Sequence, residues 1–219
     1  MNQKQIKKFE SKLISATDDE KLVHLDSLAF ALRHSDTSRA QKYGSELLEL
    51  AIKLNHPKSK SKAYRHLGAA HYLNGEYFET IKNFESSLKI ERNLLNDEGV
   101  SAGLNNLAII FSKIGNKQKS LNYYLNALDL FIKTGNVDGQ AACTSNIGLL
   151  YSELNDFKNA KTYYKRALAQ AEKHEYQYGI ATTELNLGEL LVQEDDYEEA
   201  LKLFKNSLKK SQKQDSHML

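Results

Sequence analysis

Three asparagines, Asn106, Asn146 and Asn186, recur 40 residues apart, and His66 stands one further step of 40 towards the N-terminus. A primary amide carries both donors and an acceptor, so it can pair with a peptide group much as another backbone would. A row of such amides has the chemistry to hold an extended chain, and Asn105 adds a second amide beside Asn106. Lys62, Arg65 and His66 put positive charge near one end of this row, while Glu184 and Glu189 put negative charge near the other. A segment lying along it is expected to be acidic at one end. The competing expectation is that the amides bond between neighbouring helices and only fix their packing, with the charges forming a solvated surface. Asparagine is a poor mid-helix residue and needs compensation there, which favours the binding role.

No other chemistry finds its constellation. His66 and His71 are five residues apart, which puts them on different faces of a helix; His71 reads as a histidine at the core edge and not as a metal ligand. The chain lacks His-Glu-x-x-His, Cys-x-x-Cys, P-loop and Gly-x-Ser-x-Gly patterns. The single cysteine, Cys143, aligns with Ala63, Gly103 and Thr183, so a buried, inert thiol is expected and an internal disulfide is excluded. No catalytic residue, metal or cofactor is expected. With 26% charged residues and a net charge of +2, the chain lacks the basic excess of a nucleic-acid binder. The first residues lack the apolar core of a signal peptide, and no apolar run reaches the roughly 18 residues of a membrane span. No membrane partner and a cytoplasmic location are the expectations.

The elements that would position the asparagines follow from the same interval. Leu67-Gly68, Leu107-Ala108, Ile147-Gly148 and Leu187-Gly188 align at 40 residues without a gap, as do Phe84, Tyr124, Tyr164 and Phe204, and also Leu48, Leu88, Leu128, Leu168 and Leu208. Ile147, Leu150, Tyr151 and Leu154 fall on one helical face, and Ala160, Tyr164, Ala167, Leu168 and Ala171 on another. Between them Gly75, Gly115, Asn155 and Asp195 form a column of residues that tolerate a left-handed backbone, marking a turn. A second turn is expected at Asn96–Gly99, at Gly135–Gly139 and near Gly179. Each repeat is thus a helical hairpin. Its small residue lets two helices approach, and its aromatic fills the space beside the crossing. The first repeat is expected in the same register, with Gly44 in place of the aromatic and Leu28 in place of the small residue. Thr17-Asp18-Asp19-Glu20 has the form of a capping box, and Ile6, Phe9 and Leu13 place one more helix ahead of it.

These columns resemble the tetratricopeptide repeat, with Gly148, Tyr151, Ala160, Tyr164 and Ala167 matching its pattern. The longer unit and the strings Asn146-Ile147-Gly148 and Asn186-Leu187-Gly188 are similar to the Leu-Gly-Asn-repeat scaffolds of G-protein signalling and to bacterial regulators that bind short peptides. The early tryptophan of the family is replaced by Tyr64, Leu104, Thr144 and Glu184, and the closing proline is missing. The resemblance implies an all-α, right-handed α-solenoid of about five helix-turn-helix units. The expected division is an N-terminal capping helix over 1–16 and an array over 17–219, with repeats at about 20–58, 59–98, 99–138, 139–178 and 179–214. It also implies a concave surface, lined by the first helices, that cradles a protein segment or extended peptide. First helices spaced roughly 8–10 Å apart would present one asparagine to every third residue of a strand rising about 3.3 Å per residue. Chaperone-tail docking is disfavoured, because Arg65, Ala69, Asn106, Ala142 and Asn146 leave three of its five positions without the required residue type. Leu219 falls in the column of Gly99, where a further repeat would start, so a truncated array is one expectation. A natural end covered by Lys209, Lys210, Lys213 and Gln214 is the other. An open last repeat could pair with a second copy to give a homodimer. The principal expectation is a non-catalytic peptide-binding scaffold, and the alternative is the N-terminal regulatory module of a larger bacterial signalling protein.

Overall fold

The computed structural model describes the backbone of residues 3–217 and the side chains of residues 5–210. Among these residues every regular element is an α-helix, as expected. They are α1 (Gln3–Leu13), α2 (Asp18–Leu32), α3 (Thr37–Lys53), α4 (Pro57–Leu73), α5 (Tyr77–Asn93), α6 (Asp97–Lys113), α7 (Lys117–Lys133), α8 (Val137–Glu153), α9 (Phe157–Lys173), α10 (Gln177–Gln193) and α11 (Tyr197–His217). The 40-residue step has a simple origin. Each helix from α3 to α10 has 17 residues and is followed by three turn residues, so a hairpin and its connection take twice 20.

All these turns close alike. The last turn residue donates its N–H to the carbonyl five residues back, as Glu76 does to His71, Asp156 to Tyr151 and Asp196 to Leu191, each at 2.9 Å. That bond requires a left-handed residue just before the donor. Gly75 (φ 77°), Gly115 (83°), Asn155 (58°) and Asp195 (61°) supply it in the hairpin turns. The donor then caps the helix it opens: Asn116 accepts from the N–H of Lys119 and Asp156 from that of Asn159, both at 3.1 Å. His56 does the same through Nδ1, from Ser59 at 3.2 Å.

Between repeats the turns occupy 94–96, 134–136 and 174–176, so Gly99, Gly139 and Gly179 are helical and not turn residues. Their small size serves close approach. A Cβ on Gly139 would run into the Phe131 ring, and one on Gly179 into the Tyr176 ring. Within the hairpins the small and aromatic columns meet as expected: a Cβ added to Gly68 would lie 2.6 Å from the ring of Phe84, and one on Gly148 would lie 2.7 Å from that of Tyr164.

Contacts divide the chain into two compact units, one ending at Ile110 and the other starting at Phe111, so the division falls inside α6. In the first unit α1 lays Ile6 into a core with Leu22, Leu25, Leu28, Leu47 and Ala63, and Phe9 and Leu13 pack on its edge. The capping box forms, with the Thr17 N–H donating to Glu20 Oε2 at 2.9 Å and the Glu20 N–H donating to Thr17 Oγ1 at 3.4 Å. The register expected for α2 is one residue out. Leu22, Leu25, Leu28, Ala29 and Leu32 are its buried residues, and they match Ala181, Glu184, Leu187, Gly188 and Leu191 of α10 at an offset of 159 residues, not 160. Ala29, not Leu28, therefore takes the small position. The cause is a shorter connection to α3, where Ala40, Tyr43 and Gly44 are buried as expected.

In the second unit Tyr164 is buried with Ala160, Leu187, Leu190 and Leu203. Leu208 is 59% exposed although Leu88 and Leu128 of its column are buried. In the first unit the next repeat covers Leu88, whose Cδ1 lies 3.3 Å from where a Cβ on Gly103 would sit. Leu208 belongs to α11, the last described helix. Lys210 does not cover a chain end: it turns inward to Glu184 at 2.6 Å. Leu219 and the side chains of Lys213 and Gln214 lie outside the described residues.

Two substitutions test this framework. Gly148→Val should cost about 2–3 kcal/mol in urea unfolding, because the ring of Tyr164 already fills the space; Gly148→Ala should cost less, since Ala108 holds the same column. Leu95 has a left-handed backbone (φ 53°) and an 89% exposed side chain. Leu95→Asn should therefore stabilise the chain by about 1 kcal/mol, read in the same assay.

Candidate functional site

The first unit carries a groove of about 970 Å³. Three helices build it: α2 supplies Asp26 and Phe30, α4 supplies Lys62, Arg65 and His66, and α6 supplies Asn106, while Arg33 stands at the C-terminus of α2. Four of the expected residues are thus brought together. The one-residue slip of α2 shapes the rest. Phe30 would be buried in register with Ala70, but it is 58% exposed, with the Arg33 guanidinium stacked 3.8 Å above its ring. Asp26, Phe30 and Arg33 were not expected at the site. The signal lay in Leu28-Ala29, which repeats the pair Leu107-Ala108 once a one-residue gap is allowed.

Asp26 organises the charge. Lys62 Nζ donates to its Oδ2 at 2.6 Å, and His66 Nε2 lies 2.7 Å from its Oδ1. Burial alone would raise the Asp26 carboxyl, but the hydrogen bonds from His66 and Lys62 outweigh it and hold the group below its ordinary value of 3.8. Among the described residues Arg33 and Arg65 pair with no carboxylate, and the Asn106 amide has no hydrogen-bond partner.

In the second unit Asn146 and Asn186 lie on α8 and α10, both half-buried. The Asn186 amide donates to Ser145 Oγ at 3.3 Å. This bond matches His66 on Asp26: a side chain in the asparagine column reaches back to the preceding first helix. For Asn186 the packing role holds. Glu189 is exposed one turn further along α10. Glu184 places no charge on this face, because it is 3% exposed and bound to Lys210. Its column is interior, with Leu104 and Thr144 also buried. The amide oxygen of Asn105 is likewise buried, and it has no hydrogen-bond partner among the described residues.

The reactive groups elsewhere are closed off. Cys143 is fully buried, its thiol donates to the carbonyl of Tyr124 at 3.3 Å, and desolvation pushes its pKa up to about 12. His71 is bonded to Glu76 at the hairpin turn. Among the described residues no three His, Cys, Asp or Glu side chains gather to hold a metal ion, and no helix is long and apolar enough to cross a membrane.

Helical hairpins that repeat every 40 residues and keep one face of their first helices open define a repeat scaffold. Models of the tetratricopeptide repeat match residues 59–133, 104–173 and 185–217. The chain belongs to the tetratricopeptide repeat family, whose members are non-catalytic scaffolds that bind protein or peptide partners. It is 41% identical over 66 residues to the photosystem I assembly protein Ycf3 of Prochlorococcus marinus (strain MIT 9211), a match covering 30% of this chain and 36% of that protein. The match to Ycf3 of Synechococcus sp. (strain CC9311) is 32% over 85 residues, or 39% of this chain and 47% of that protein. The chain thus spans between about a third and a half of the length of these curated relatives. In fold it is similar to BtubC from P. vanneervenii, with a TM-score of 0.76 at 21% identity over 96% of this chain and 88% of that one. It is also similar to a Rap protein complexed with competence and sporulation factor, with a TM-score of 0.77 at 16% identity over 95% and 70% of the two chains.

The Asp26 contacts make stability depend on pH. A carboxyl held below its ordinary value stabilises the fold above that value, and the gain is lost as pH falls through the lowered one. At pH 7 the chain should be roughly 1 kcal/mol more stable than its Asp26→Asn variant. The gap should close below about pH 4, read as urea midpoints at fixed pH. Equal midpoints at neutral pH would show that the two contacts stabilise nothing.

Proposed function

We propose that the chain holds an extended segment of a partner protein against its first helices, and that the groove on α2, α4 and α6 is the principal seat. The observation that carries this is the 970 Å³ groove, where an exposed aromatic ring, two arginines and the amide of Asn106 converge. A backbone amide of the partner can pair with Asn106, an apolar side chain can rest on Phe30, and acidic groups can meet Arg65 and Arg33. Asn146 and Glu189 extend the same chemistry along α8 and α10 of the second unit. The charge balance favours a protein partner over a nucleic acid, whose phosphates call for a stronger basic excess.

Panning a random twelve-residue peptide library against the chain tests this. Wild type should enrich a family of related peptides. Arg65→Ala combined with Asn106→Ala should weaken the best of them at least tenfold by fluorescence anisotropy, with helical circular dichroism unchanged. Asn186→Ala should leave that affinity alone and lower stability instead, because its amide is spent on Ser145. Affinity unchanged by the Arg65 and Asn106 pair would remove the groove as the seat.

A further inference from the structure

The groove is cationic, yet its cations are not equally available. Lys62 and His66 are both engaged by Asp26, at 2.6 and 2.7 Å, while Arg33 and Arg65 meet no carboxylate among the described residues. Asp26 stands where a ligand carboxylate would stand to meet Lys62 and His66. It has this position only because α2 is slipped by one residue, which lines it up with Arg65 of α4, Asn105 of α6 and Ser145 of α8. Every one of those counterparts is neutral or basic. In the second unit the equivalent bond, Asn186 to Ser145, joins two neutral groups.

We propose that Asp26 is a built-in competitor for the groove's cations. The ligand is then an acidic segment with an apolar or aromatic side chain, bound through Arg65 and Arg33 and over Phe30. It binds more weakly than the groove's full set of cations would allow, because Asp26 both holds Lys62 and His66 and repels the incoming carboxylates. This rests on the groove being the seat of a partner segment, as proposed above. Charge complementarity selects the occupant: three cationic side chains, Arg33, Lys62 and Arg65, face one carboxylate, Asp26. The exposed Phe30 adds an apolar platform that a basic segment could not use without placing its charges beside the arginines.

The probe is a fluorescein-labelled heptapeptide of six glutamates around a central phenylalanine, with six lysines in the matched control, read by anisotropy against the whole chain. Wild type should bind the acidic peptide and not the basic one. Asp26→Asn should tighten the acidic peptide roughly fivefold, as removing one unit charge several ångströms from the ligand implies. Arg65→Ala should weaken it roughly tenfold. Asparagine is tolerated at this place, since Asn105 holds it in α6, and Asp26→Ser, the residue type in α8, reaches the same result by a second route. If Asp26→Asn and Asp26→Ser leave the affinity unchanged while Arg65→Ala still weakens it, the competitor role is overturned and the groove stands. If library panning yields binders that depend on Arg65 and Asn106 but the acidic peptide does not bind, the acidic ligand is overturned. Panning that yields nothing would overturn the groove as a seat and this inference with it.

Discussion

The structure depends on how closely two helices can cross. In each hairpin where the contact is seen, a first-helix glycine lies directly beneath the aromatic ring of the second helix. The gap is too small for a methyl group, as Gly68 under Phe84 and Gly148 under Tyr164 show. This contact seals the hairpin and buries a large ring, which contributes a few kcal/mol per repeat by its apolar area, about 25 cal/mol per Å². With the second helix held so close, the two apolar stripes merge into one surface that the next hairpin covers. What remains outside is the far side of the first helices. The open binding face is therefore a by-product of the crossing.

The turns make the crossing repeatable. Each is three residues long and closed by the same five-residue bond, so the chain reverses through the same geometry every 20 residues. One residue per turn has two tasks, ending one helix with its N–H and opening the next with its side chain, and Asp156 and Asn116 do both. Where the cap residue lacks a suitable acceptor, as at Tyr176, the backbone bond alone closes the turn.

The repeat length, the helical hairpin, the glycine-aromatic pairing and the left-handed hairpin turns were all legible in the sequence, because each fixes residue type through backbone geometry or volume. Gly99, Gly139 and Gly179 misled for an instructive reason. Glycine answers two needs, a left-handed backbone or a close neighbour, and the second is visible only when the neighbour is placed. Gly139 is explained by Phe131, eight residues earlier, across a turn that another glycine, Gly135, makes. Glu184 looked like surface charge because glutamate usually is; its interior column and its distant cation, Lys210, emerge only when α10 and α11 are set side by side.

The first repeat shows how one residue changes a site. A gapless alignment at 40 residues places Leu28 under the helix crossing and buries Phe30. The chain instead closes on Ala29, since leucine does not fit where glycine and alanine stand elsewhere, and a one-residue slip in α2 costs less than that clash. A slip of one residue turns a helix by about 100° relative to its partners. That rotation brings Phe30 out of the core to meet Arg33, and carries Asp26 opposite His66 and Lys62. The ring, the exposed arginines and the competing carboxylate of the groove all follow from this rotation. The most irregular repeat in the packing is thus the one that supplies the most distinctive chemistry.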